Sequence, residues 1–248
     1  MIDHVSWHWG FIGIALLATL SWFGLKAKMP EQYVSIPKQP LSYVWDDFKA
    51  VFSNKRFMAL SLSLPLVSIP LILWIAMSPV ILVEQLGLTN MQYGLAQVPV
   101  LGALILGNIV LIRVIEQLAL GRTVMLALPL MLIGTLIVIA GVIWQEYMLW
   151  CLVLGMTLIS FGEGCSFSVL YRFSLSASEV SKGTVAAAVG MIMMVAFFVV
   201  IEMVRILYGH FDMWAYALAC FALIAVWFTV PRSVVKSIMQ ERAMSGQF

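Results

Sequence analysis

The sequence is 248 residues long, 62% hydrophobic and only 10% charged, with a mean hydropathy of +1.01. A soluble domain carries about 25% charged residues, so a water-covered globule is excluded. The net charge of +2 is too small to mark a nucleic-acid-binding surface, and no nucleic-acid partner is expected.

The apolar residues fall in long blocks. A bilayer core about 30 Å thick asks for about 20 apolar residues per spanning helix. The blocks meet that length and are apolar all round, whereas barrel strands are short and alternate. Helices also satisfy their own backbone hydrogen bonds, which lipid cannot do. The first expected span is Trp9–Leu25, without the basic leader of a secretory signal. The polar stretch Lys26–Arg56 follows. In it Val44, Trp45, Phe48, Val51 and Phe52 recur at helical spacing, with Asp46, Asp47 and Lys49 between them. That pattern predicts an amphipathic helix, either lying on the membrane surface or packed on the bundle as a linker. The second span is Phe57–Val83, with Pro65, Pro70 and Pro79. The third is Met91–Ile112, with Gly94, Pro99, Gly102 and Gly107. Thr123–Trp144, Tyr147–Tyr171, Gly183–Ile206 and Met213–Val230 complete the series. The expected fold class is therefore an all-α membrane protein of about seven transmembrane helices.

Orientation follows from the basic residues, which favour cytoplasmic connections. Lys26, Lys28, Lys38, Lys49, Lys55, Arg56, Arg113, Arg122, Arg172, Lys182, Arg232, Lys236 and Arg242 all lie on alternate connections or the tail. The opposite side holds only Arg205. The N-terminus is expected outside and the C-terminus in the cytoplasm. The expected units are a transmembrane helix over 1–25, a cytoplasmic linker with the amphipathic helix over 26–56, a six-helix bundle over 57–231 and a cytoplasmic tail over 232–248.

Cys151, Cys165 and Cys220 lie in apolar blocks without CxxC or metal-type spacing, so free buried thiols are expected and neither a metal nor a cofactor. No GxSxG, HExxH or phosphate-cradling glycine loop is present, and no enzymatic activity is expected. The strongest chemical signal is Glu163, inside the fifth span in the string FGEGCSFS. A carboxyl at bilayer depth costs roughly 2.5–3.5 kcal/mol on insertion scales. It persists by facing a cavity, pairing with a cation or carrying its proton. About 13 Å of helix separates it from Arg172, which puts it in the cytoplasmic half. It reads as a group lining a substrate or proton path, or as a structural acid bonded to a neighbouring helix. Glu202 and Arg205 are three apart and can pair on one helix face, as an interfacial ion pair or a gate. Arg113, Arg122 and Arg172 are interface anchors or gating candidates. Trp74, Met77, Gln97, Met191 and Met194 are further pathway candidates; methionine adapts to varied apolar partners. Prolines in spans two and three predict kinks or broken helices. The small residues Gly183, Ala186, Ala187 and Gly190 predict a close helix contact in span six.

Three longer strings carry a resemblance: WIAMSPVIL (74–82), YGLAQVPVLGALILGN (93–108) and SASEVSKGTVAAAVGM (176–191). With the order span, MPE, amphipathic helix, six spans, nearly the whole chain resembles the C-terminal part of MdfA-type multidrug/proton antiporters of the major facilitator superfamily. The resemblance equates the first span with that family's sixth helix and spans two to seven with helices seven to twelve. It implies two inverted three-helix repeats, a bacterial inner-membrane location, lipophilic drug substrates and protons. It also implies that the acids essential for coupling, the signature loop, the fourth-helix arginine and the antiporter motif lie in an N-terminal half not present here. The Arg113–Arg122 loop corresponds to a degenerate signature loop. Glu163 departs from the family, whose members carry an apolar residue there. The expected function is part of a multidrug efflux drug/proton antiporter, giving antibiotic resistance. The alternative is a non-transporting assembly subunit or an inactive truncated product. A complementary N-terminal half or a second copy of the chain is the expected protein partner. A seven-helix receptor or retinal protein is a competing reading, disfavoured because Met213–Val230 has no lysine for a Schiff base and receptor signatures of the DRY and NPxxY type are missing.

Overall fold

A computed structural model describes residues 8–28, 41–114 and 121–244. The segments 1–7, 29–40, 115–120 and 245–248 lie outside the described residues, and with them much of the polar linker, most of the Arg113–Arg122 loop and the end of the expected tail. The described residues are helical nearly throughout. Helix α1 is His8–Lys28 and α2 is Leu41–Ser53. Then come α3 (Lys55–Ser78), α4 (Asn90–Val114), α5 (Arg122–Ile143), α6 (Met148–Ser176), α7 (Lys182–Phe211) and α8 (Met213–Met244). Among the described residues six helices are long and apolar enough to cross a membrane, and Met213–Thr229 adds a shorter apolar run of 17 residues. That run is at the lower limit for a span. Seven apolar helices thus stand where seven were expected.

Local chemistry explains the boundaries. Asn54 caps α3, its Oδ1 accepting from Arg56 N at 3.0 Å and Phe57 N at 3.2 Å. Its Nδ2 donates to the Ala177 carbonyl at 2.9 Å, tying the start of α3 to the end of α6. Ser181 caps α7 by accepting from Thr184 N. Lys182 Nζ donates to the carbonyls of Leu175, in the last turn of α6, and of Ser178, in the loop after it. At Pro79 the α-helical ladder of α3 gives way to a π-helical stretch, Pro79–Gln85, with Leu86 N donating to Ile81 O. A broken second span was expected from its prolines, and the break falls at the third of them. Pro65 and Pro70 are contained within α3, and Pro99 within α4. Gly87, at φ +68°, takes the left-handed turn into α4 that a side chain would strain.

Helix α6 is the centre of the bundle: α3, α4 and α5 pack on it, and α8 packs on α3 and α5. The closeness of two of these contacts is set by glycine. At the α4–α6 crossing Gly107 faces Gly164, and a Cβ on Gly164 would strike the Leu104 carbonyl and lie 3.1 Å from Gly107 Cα. At the α5–α6 crossing a Cβ on Gly134 would lie 2.7 Å from the Gly155 carbonyl oxygen. The close contact expected on α7 is not formed among the described residues: Gly183 and Gly190 have open space where a Cβ would go. Helix α7 packs on α3 and α8, and Val185, Ala188 and Val189 are buried at its start. Helix α1 contributes no buried residue. Of the three free thiols, Cys165 and Cys220 are buried, while Cys151 is partly exposed.

Candidate functional site

The expected pathway residues separate into three environments. The first is a hydrogen-bonded string between α3 and α4, beside the π-helical stretch. Trp74 is fully buried and its Nε1 donates to Gln97 Oε1 at 2.7 Å. Gln97 Nε2 donates to Ser78 Oγ at 3.0 Å, and Ser78 Oγ lies 3.3 Å from Tyr93 Oη. Met77 is buried alongside. Trp74 and Ser78 are four apart on α3, as are Tyr93 and Gln97 on α4, so each pair shares a helix face. That spacing could have revealed Ser78 and Tyr93, which sequence reasoning missed. The C-terminal end of the π-helical stretch is tied to α7, since Tyr208 Oη donates to Gln85 Oε1 at 2.6 Å.

The second environment surrounds Glu163. Its side chain is 7% exposed and faces the Ser68 side chain of α3 across the α3–α6 interface. Ser68 Oγ also donates to the Leu64 carbonyl at 3.0 Å. Ser160 and Ser166 flank Glu163 at i−3 and i+3 and are both fully buried. Among the described residues Glu163 Oε2, Ser160 Oγ and Ser166 Oγ have no hydrogen-bond partner. A carboxyl and three hydroxyls thus share the apolar interior of the bundle. Among the described residues no arginine or lysine pairs with Glu163. The hydroxyls were missed in the sequence because serine alone is common in membrane helices. Only their register with Glu163 marks them. Ser68 stands six residues before Trp74 on α3, about 9 Å along the helix, so the two polar clusters are distinct.

The third environment is the open face of α7. Met191 and Met194 are 55% and 65% exposed there, away from both clusters. Arg113, Arg122 and Arg172 are exposed at helix ends on one side of the bundle. Glu202 and Arg205 form the expected pair at the other, with Arg205 Nη2 2.8 Å from Glu202 Oε2, exposed on both sides.

Seven apolar helices define a multi-pass, all-α membrane protein. No protein-family model matches the chain. It is 64% identical over 242 residues to the chloramphenicol resistance protein CraA of Acinetobacter baumannii, covering 98% of this chain and 59% of that protein. It is 38% identical to the multidrug transporter MdfA of Yersinia pestis over 210 residues, 84% of this chain and 51% of that one. To MdfA of Escherichia coli O157:H7 it is 38% identical over 202 residues, 81% and 49% respectively. Over nearly its whole length the chain is thus similar to part of CraA and of the multidrug transporter MdfA. It spans about half the length of the curated relatives it matches.

Proposed function

We propose that this chain forms one wall of a bacterial drug efflux transporter, in the inner membrane, driven by exchange for protons. The observation that carries this is its 64% identity, over 98% of its length, to a chloramphenicol resistance protein. In this reading α3–α8 are the C-terminal six-helix bundle and α1 is the last helix of the N-terminal half. The bundle follows residue 56, and α1 and residues 26–56 lie before it. The N-terminus is outside, and the tail from 232 is cytoplasmic. Drug moves without any covalent step. Alternating access needs two bundles rocking about a shared site, so a complementary N-terminal half, or a second copy, supplies the other wall. Trp74, Met77, Gln97, Glu163, Met191 and Met194 are the pathway groups. Arg113, Arg122, Arg172, Glu202 and Arg205 are the ion-pair and gating groups. The open apolar face of α7 supports a second wall, since Met191, Met194 and Phe198 are exposed on it.

The test is expression in an efflux-deficient bacterium exposed to chloramphenicol. The 248-residue polypeptide alone should leave resistance unchanged, and co-expression with the five complementary helices should raise it. Robust pH-dependent export by the purified polypeptide alone in liposomes would overturn the need for a complementary half and indicate a homodimer. No resistance in either arm, with both polypeptides in the membrane, would overturn the transport reading.

A further inference from the structure

Polar residues follow the α3–α6 interface along its length. Asn54, Ser61 and Ser68 are spaced by seven at the start of α3 and within it. Seven residues fall about 20° short of two full turns, so the three share one face. Two of them fix what that face meets. Asn54 Nδ2 donates to the Ala177 carbonyl at the end of α6, and Ser68 faces Glu163. The two helices run antiparallel, so stepping seven residues along each from either contact brings Ser61 opposite Leu170. Ser166 and Ser174 stand one turn to either side of Leu170. Along the seam the order from the Asn54 end is therefore Ser174, Ser61, Ser166 and Glu163, at axial steps of roughly 4–6 Å. Two hydrogen bonds of about 2.8 Å through one water span that distance.

Ser61, Ser166 and Ser174 are fully buried, and among the described residues Ser61 Oγ, Ser166 Oγ and Glu163 Oε2 have no hydrogen-bond partner. Ser174 Oγ donates to the Leu170 carbonyl at 3.0 Å, which leaves its lone pairs to accept. Buried polar groups are almost always bonded, and internal water bonds those that the protein does not. The row has one polar end. Beyond Ser160 the same face of α6 carries Met156 and Leu152, both fully buried, and Met156 Sδ accepts from Tyr216 Oη of α8 at 3.1 Å. At the opposite end Asn54 is half-exposed. We propose that the α3–α6 seam holds a file of internal water, bound by Ser174, Ser61 and Ser166, that joins Glu163 to the Asn54 end of the bundle. On the orientation proposed above that end is cytoplasmic. A proton leaving the Glu163 carboxyl passes to the first water as that water hands one of its own to the next. The net transfer is one proton from Glu163 to the cytoplasm, away from the α7 face that meets the second wall. The proton route rests on the transport reading; the water file does not.

The test exposes the full polypeptide in nanodiscs to brief X-ray pulses. These turn water into hydroxyl radicals, which oxidise the side chains beside it, and peptide mass spectrometry maps the oxidised positions. Leu170, buried opposite Ser61, should be oxidised in the wild type. Val138, equally buried against Gly155 at the α5–α6 contact, should not. Ser61→Val combined with Ser166→Val replaces two hydroxyls by methyl groups and should lower oxidation of Leu170 at least fivefold. Tyr147, exposed between α5 and α6, reports the radical dose in each sample. The wild type is read by itself, so the test does not depend on the survival of the variant: Leu170 oxidised no more than Val138 would overturn the proposal. So would oxidation of Leu170 that the double variant leaves unchanged. Neither measurement involves drug, so a dry seam is distinguishable from a failure of export in the resistance assay.

Discussion

Replacing Gly164 by alanine tests whether the α4–α6 contact holds the bundle together. The new Cβ would strike the Leu104 carbonyl oxygen and lie 3.0 Å from Asn108 N and 3.1 Å from Gly107 Cα. All three are backbone atoms of α4, so no side chain can rotate away and the two helices must separate. Ordinary contact begins near 3.4 Å, and a gap of 0.5–1 Å forfeits a quarter to a half of each atom-pair attraction along the interface. Overpacking of this kind costs about 1–3 kcal/mol, and backbone on both sides puts Gly164→Ala at the upper end. Alanine's better helix propensity returns about 1 kcal/mol. The expected net loss is about 2 kcal/mol, or roughly 4–8 °C in Tm for a chain of this size. Separation also weakens the Cys165 Sγ to Gly107 O hydrogen bond, 3.4 Å long. The assay is thermal unfolding in detergent followed by tryptophan fluorescence, with Gly183→Ala and Gly190→Ala as controls. Both controls have open space for the methyl group and should be neutral or slightly stabilising. Equal melting of Gly164→Ala and wild type, or an equal loss in the controls, would refute the packing argument.

Trp74→Phe removes the donor to Gln97 and leaves its amide oxygen unpaired in a half-buried site; a loss of about 1–3 kcal/mol is expected in the same melt. Glu163→Gln keeps the shape and should leave folding intact while altering the pH dependence of export in a transporting assembly. An unchanged profile would make the acid structural. Glu163→Lys puts an unpaired cation at the same buried position, at a cost of roughly 2.5–3.5 kcal/mol, and should reduce the amount of membrane-stable protein. After replacement of Cys151, Cys165 and Cys220, a cysteine at Ser53 should be labelled by an impermeant reagent from the cytoplasmic side and one at Thr89 from outside; the reverse pattern would sink the proposed orientation.

The number, length and order of the helices were legible in the sequence, because spanning a bilayer is a one-dimensional requirement: enough consecutive apolar residues, met block by block. Short-range pairs were legible for the same reason. Glu202 and Arg205 meet because they are three residues apart on one helix, whatever surrounds them. The amphipathic pattern of α2 was likewise visible, since its polar and apolar residues alternate at helical spacing. The face that each spanning helix buries was not legible. In a soluble helix polarity separates the packed side from the wet one, but here lipid and neighbouring helix are both apolar, so the composition of a span says little about direction. Small residues were present on α4, α5, α6 and α7 alike. Only the tertiary structure assigns the close contacts to Gly107, Gly134, Gly155 and Gly164 and leaves Gly183 and Gly190 open. It alone sets Trp74 against Gln97 and Glu163 against Ser68, pairings across helices 23 and 95 residues apart in sequence. Those partners depend on how two helices rotate about their own axes, and van der Waals fit between backbones, to which hydrophobicity is blind, decides that rotation.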